Sequence, residues 1–299
     1  MAKLVGCVPN FSEGRNSALI KEFADTVKAT AGVMLLDYSS DVSHNRTVFT
    51  FAGSPEGVMD AAFKCAKIAV EKIDLTKHAG EHPRMGAVDV IPFIPITDVT
   101  TEECIEMSKQ LGQKLWRELK LPVYLYEDSA STPARKNLAA LRKGQYEGMT
   151  EKIKAPGFAP DYGHELHKTA GIVACGARPP LVAFNINLST PDLEVANKIS
   201  RIIREASGGF RSVKAIGIML EERNIAQVSI NMTNYKDTPL YRVLELVKIE
   251  AARYGVSVIG TEIIGLLPMK ALIDCAEHYL MIENFDAEKQ VLENHLLKG

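Results

Sequence analysis

Apolar and polar positions follow two periods along this chain, and where the period changes the elements can be read. Residues 3–9 alternate as a strand does; from Asn16 to Thr30, Leu19, Ile20, Phe23, Ala24 and Val27 recur at helical spacing. Val33 to Tyr38 and Thr47 to Phe51 read as two further strands. Ser54 then predicts an N-cap with Pro55 at the first helical position, for a helix ending before Asp74, and Val88 to Ile94 forms an apolar strand. The resulting order is β-α-β-β-α-β, with a helix at Thr101 to Leu119 and a strand at Val123 to Tyr126 appended.

The same order recurs after Arg178: strand Leu181 to Asn187, helix Asp192 to Ala206, strands Val213 to Leu220 and Ala226 to Met232, helix Thr238 to Tyr254 and strand Val256 to Thr261. Helices near Pro268 to Ile282 and Asp286 to Leu296 close the chain, packed on a sheet face or at a subunit contact. The expected fold is therefore α/β (α+β): two ferredoxin-like βαββαβ subdomains, residues 1–178 and 179–299, with a ligand cleft between them. Little sequence similarity accompanies the recurrence, so it is a repeat of architecture. The run Ala155-Pro156-Gly157-Phe158-Ala159-Pro160-Asp161-Tyr162-Gly163 has the composition of a linker or long crossing loop.

Composition narrows the function classes. With 46% hydrophobic and 24% charged residues in 299, the chain is ordinary globular material, and no run approaches the ~20 apolar residues that span a bilayer. A soluble, cytoplasmic protein without a membrane partner is expected. The net charge of −2, with Lys and Arg dispersed among acids, argues against nucleic acid as a partner. Cys7, Cys65, Cys104, Cys175 and Cys275 are scattered without a C-x-x-C pair, as buried free thiols are.

The densest chemistry is His78-Ala79-Gly80-Glu81-His82-Pro83-Arg84-Met85-Gly86, placed on a loop that runs into the strand Val88 to Ile94. His78 and His82 formally match an H-x-x-E-H zinc pattern, but Gly80 weakens a helix and Pro83 biases His82 away from helical dihedrals, so no metal is expected. His164-Glu165-Leu166-His167 reads as a solvated loop and Asp128-Ser129 as a turn. Nucleophile-elbow, phosphate-loop and dinucleotide motifs do not occur. His82 is the best candidate base, since neutral imidazole accepts a proton near pH ~6.5, with His78 or Glu81 as candidates to orient it. Polar groups also cluster at Asn10-Phe11-Ser12-Glu13-Gly14 and His44-Asn45-Arg46-Thr47. The segment Gly171, Ile172, Val173, Ala174, Cys175, Gly176, Ala177, Arg178, Pro179 and Pro180 has small residues that allow a flat ligand close; an interlobe connector is the other reading.

Four stretches resemble signatures of the glutamate formimidoyltransferase (formiminotransferase) family: Cys7 to Gly14, Asn45 to Phe51, Gly80 to Ala87 and Val182 to Leu188. The resemblance spans essentially the whole chain. It implies two α/β subdomains with folate bound in a passage between them, a homodimer, and transfer of a formimidoyl group from N-formimidoyl-L-glutamate to N5 of tetrahydrofolate, the co-substrate. It carries the general base onto His82 and the folate-binding segment onto Gly171 through Pro180, where Pro179 replaces a basic residue of some members. Asn10, Glu13, Arg46, Glu81 and Arg84 are the substrate-binding candidates: arginines for substrate carboxylates, with Arg178 a further choice, and Glu13 or Glu81 for the amidinium. In animals this transferase is fused to a cyclodeaminase, expected here on a separate chain if present. Formyl transfer between 5-formyltetrahydrofolate and glutamate, and noncatalytic folate binding, are the alternatives.

Overall fold

A computed structural model describes residues 3–296, and the chain divides into two compact units, Met1–Arg178 and Pro179–Gly299. The first unit runs β1 (Leu4–Cys7), β2 (Asn10–Phe11), α1 (Ser17–Lys28), β3 (Val33–Asp41), β4 (Arg46–Gly53), α2 (Pro55–Lys72), β5 (Val88–Thr97), α3 (Thr101–Leu119), β6 (Val123–Glu127), α4 (Leu138–Arg142), α5 (Gln145–Lys152) and β7 (Val173–Ala177). β1 and β2 are two pieces of one strand position. Each pairs antiparallel with both β4 and β5, while β3 pairs with the far side of β4. The βαββαβ arrangement read from the periodicity is present, and β7 and β6 extend it in parallel beyond β5 into a seven-stranded sheet.

Local chemistry sets the helix boundaries. Asn16 caps α1 by accepting from Leu19 N, and Ser54 caps α2 ahead of Pro55. Thr100 and Glu103 form a reciprocal capping box on α3. The apolar faces of α1, α2 and α3 cover one side of the sheet, where Phe11 stacks on Phe23 at 4.3 Å and meets Phe49 edge-on. On the other side, Val90, Tyr124, Tyr126, Ile172 and Ala174 form a second small core with Leu141 of α4 and Met149 of α5. The periodicity analysis identified neither these two short helices nor β7. α4 and α5, of 5 and 8 residues, are too short to show a 3.6 period, and β7 is rich in small residues.

The second unit runs β8 (Val182–Leu188), α6 (Leu193–Ile203), β9 (Val213–Leu220), β10 (Ile225–Met232), α7 (Leu240–Ala252), β11 (Val258–Ile264), α8 (Met269–Leu280), α9 (Ala287–Gln290) and α10 (Leu292–Leu296). Its four strands lie in the order β11-β8-β10-β9, all antiparallel. That is the order of β5, β1/β2, β4 and β3 in the first unit. α6 stops at Ile203 and passes into a 3₁₀ turn at Glu205–Ser207, so it is shorter than its periodicity suggests. The tail helix expected at Asp286 to Leu296 is broken in two because Val291 is extended.

Candidate functional site

The connection between α2 and β5, residues 73–87, carries the polar cluster, and backbone hydrogen bonds fasten it to the first sheet. Leu75 N donates to Thr169 O at 2.8 Å, Glu81 N to Ser43 O at 3.2 Å and Ala87 N to Ala170 O at 2.9 Å. Ser12 of the turn after β2 donates through its Oγ to Gly86 O at 2.8 Å. Gly80 lies so close to the turn before β4 that a Cβ there would stand 2.4 Å from His44 O, which only glycine permits. Asp89, the one acid inside the apolar start of β5, accepts from Met85 N at 2.7 Å and Gly86 N at 3.3 Å. Its other oxygen accepts from Arg142 Nε at 2.7 Å. The loop is thus held at both ends, which preorganises what it displays.

His78 and His82 lie on irregular backbone, as Gly80 and Pro83 lead one to expect, and they differ in what their ring nitrogens meet. His78 Nε2 lies 3.0 Å from Asn45 O and its Nδ1 accepts from Arg84 Nε at 3.2 Å. A carbonyl only accepts and a guanidinium only donates, so this ring is the neutral Nε2–H tautomer with both nitrogens engaged. Burial holds its pKa below the ordinary histidine value, and the Arg84 charge adds to this. Arg84, buried, makes a bidentate ion pair with Glu147 of α5 at 2.6 and 2.8 Å, and also donates to Gln145 Oε1 and His78 O. That leaves Arg84 saturated by the protein.

His82 instead meets Arg46, the first residue of β4: Arg46 Nη1 donates to His82 Nε2 while Nη2 donates to Asn10 Oδ1. Burial pushes the His82 pKa down to about 4, helped by the charges of Arg46 and Arg142 and opposed by Asp89. Burial beside Arg142 also lowers Arg46, to about 10. Asn45, buried, braces this corner by accepting from Gly14 N at 2.9 Å and donating to Ala79 O at 3.1 Å. A small recess is lined by Phe11, Ser12, His44, Asn45, Arg46, His78, His82, Arg84 and Asp89. Asn10, Arg46, His82 and Arg84 therefore come together as one site.

Other expected site residues are placed differently. The Glu13 carboxylate accepts from Arg15 N at 2.7 Å and Asn16 N at 2.9 Å, closing the turn ahead of α1. Glu81 is exposed and tied to the fold through its N–H. Gly171 through Ala177 are buried, with 173–177 forming β7 between β5 and β6; Val173, Cys175 and Ala177 face one core, Ile172 and Ala174 the other. Gly176 is small because a Cβ there would stand 2.3 Å from Tyr126 O. Only Arg178, Pro179 and Pro180 of that segment are partly exposed. Sequence reasoning missed Asp89, Arg142 and Glu147. A lone acid between two valines was a signal for Asp89; nothing local marked the other two. Among the described residues, no group of three or more His, Cys, Asp or Glu side chains is gathered as for a metal ion.

Residues 4–178 match the family model of the formiminotransferase domain, N-terminal subdomain, and residues 183–296 that of the formiminotransferase domain. The chain belongs to the formiminotransferase family. It is 59% identical to a glutamate formimidoyltransferase of Streptococcus pyogenes serotype M1, over 99% of this chain and all of that protein. A glutamate formimidoyltransferase of Thermoplasma acidophilum is 45% identical over 99% of this chain and 98% of that one. The formimidoyltransferase-cyclodeaminase of Mus musculus is 44% identical over 93% of this chain, which covers 53% of that protein. Formiminotransferase relatives thus occur both alone and with further sequence attached.

Proposed function

We propose that this protein is a glutamate formimidoyltransferase that moves the formimidoyl group of N-formimidoyl-L-glutamate to N5 of tetrahydrofolate, giving 5-formimidoyltetrahydrofolate and L-glutamate. The observation that carries this is the 59% identity over the whole of a protein bearing that activity as its name. The geometry supports His82 as the base. His78 has both nitrogens engaged with its own fold, whereas His82 lines the recess and its Nε2 meets a single side chain, Arg46. N5 attacks the amidine carbon and a carbon–nitrogen bond forms. His82 takes the N5 proton, and as the carbon–nitrogen bond to glutamate breaks it returns a proton to the departing amine. Folate is the co-substrate, and Arg178, Pro179 and Pro180 are the part of the family's folate segment with exposed surface for it.

The reading includes a homodimer in the cytoplasm, where both substrates are dissolved. Exposed Leu272, Leu280 and Met281 of the second unit supply apolar area for a subunit contact. Incubating the protein with N-formimidoyl-L-glutamate and tetrahydrofolate, and separately with 5-formyltetrahydrofolate and glutamate, tests the donor by folate absorbance. Formimidoyl transfer is expected. Formyl transfer alone, or no turnover at high enzyme concentration, overturns the assignment.

A further inference from the structure

Arg46 is a cation without an anion. Its Nε is buried and has no hydrogen-bond partner, and its two Nη atoms are spent on a neutral amide, Asn10, and a neutral ring, His82. The nearby carboxylate Asp89 is committed to Arg142 and to two backbone N–H groups. Among the described residues no ion pair reaches Arg46. A buried guanidinium in this state is costly, and an arriving carboxylate relieves that cost, because it matches the guanidinium fork with two charge-assisted hydrogen bonds.

The same arrangement blocks the reaction. A guanidinium has no lone pair to offer, so at the Arg46–His82 contact His82 Nε2 must accept, and its lone pair is occupied. Building on the transferase reading above, we infer that Arg46 is a latch: the carboxylate of the glutamyl donor draws its guanidinium away from His82 Nε2 and thereby frees the base only when donor is in place. Asn10 holds the second Nη and sets the resting position. The donor's carboxylate thus acts as recognition element and release signal at once, which limits unproductive chemistry at a folate-only site.

The charged and titratable groups facing His82 are Arg46 from β4, Arg142 from α4, Asp89 from β5 and His44 from the turn before β4, its ring 6.2 Å away; His78 and Arg84 line the same recess. Neutralising Arg46 with a carboxylate removes the larger of the two charge contributions that lower His82. The resting ring titrates at about 4, against an ordinary value of 6.5, so release moves it upward.

The experiment is NMR titration of His82 in ring-labelled full-length protein, with and without saturating L-glutamate. In the wild type, L-glutamate should move the His82 titration up toward its ordinary value. In Arg46→Gln the titration should already lie above the wild-type resting value, still held below the ordinary one by burial, and should ignore L-glutamate, while KM for the donor rises about 10- to 100-fold, the loss of charged hydrogen bonds. Asn10→Asp guards against misfolding of that variant: its carboxylate should hold Arg46 in the resting position and blunt the glutamate-dependent shift. No glutamate-dependent shift in the wild type, or His82 still at about 4 in Arg46→Gln, overturns the latch. A latch that works in a protein with no formimidoyl transfer would instead refute the transferase reading, so the two failures are distinct.

Discussion

The two units share one four-strand order, and the connection leading to its last strand differs between them. In the first, α2 reaches β5 through residues 73–87; in the second, α7 reaches β11 through residues 253–257 alone. The long connection carries His78, His82 and Arg84; the short one carries no histidine, and its Arg253 pairs with Glu250 of α7. The sheets differ in a matching way. The first has a second core of α4 and α5 over β5, β7 and β6, which brings Arg142 and Glu147 to the loop. The second has a buried polar network in which Gln227 donates to Asn187 Oδ1 at 2.8 Å and Glu262 Oε2 at 3.1 Å. One scaffold therefore holds a displayed loop in one copy and a self-satisfied amide cluster in the other. Chemistry follows the inserted loop, not the topology.

His82→Ala attacks the loop most directly. Transfer should fall by about 10²–10⁴-fold while folate affinity changes little, read by steady-state rates and equilibrium binding. An unchanged rate rejects His82 as the base. Asp89→Ala attacks the support under the loop: it removes the buried carboxylate that partly buried Arg142 pairs with and should cost about 3–5 kcal/mol in urea unfolding. Gln227→Leu is the corresponding blow to the second sheet, where losing one neutral donor should cost only about 1–3 kcal/mol. If the second loss equals or exceeds the first, the two sheets do not divide their roles as described.

The smallest effect is on acid sensitivity. The folded His82 titrates at about 4 against 6.5 ordinarily, so between these values the unfolded chain binds the extra proton. The neutral ring's contribution to stability is full above 6.5 and drains as pH falls toward 4. His82→Gln should make stability fall less steeply from pH 6.5 to 4 than in the wild type; parallel curves in urea unfolding at several pH values would show that His82 is not the titrating group.

Much of this architecture was legible because periodicity is local. Leu19, Ile20, Phe23, Ala24 and Val27 all became the buried face of α1, and Ser54 caps α2 as its position before Pro55 predicts. Local backbone rules also kept His78 and His82 off a helix. Legibility failed where a role depends on a partner distant in sequence. Arg84, offered for a substrate carboxylate, is met by Glu147 of α5, and Gly171 through Ala177 form a buried strand because Tyr126 and β5 lie beside them.

The sequence by itself determined two βαββαβ units and a polar loop ahead of the fourth strand, because hydrophobic spacing, caps and loop composition act over a few residues. Only the tertiary structure decided what each imidazole meets. Two histidines four positions apart carry the same intrinsic chemistry; Asn45 and Arg84 occupy both nitrogens of one, while Arg46 alone meets the other in the recess. Arg84 comes from the same loop, but Asn45 and Arg46 come from the turn before β4 and from β4 itself, and proximity across a sheet has no local imprint on the chain.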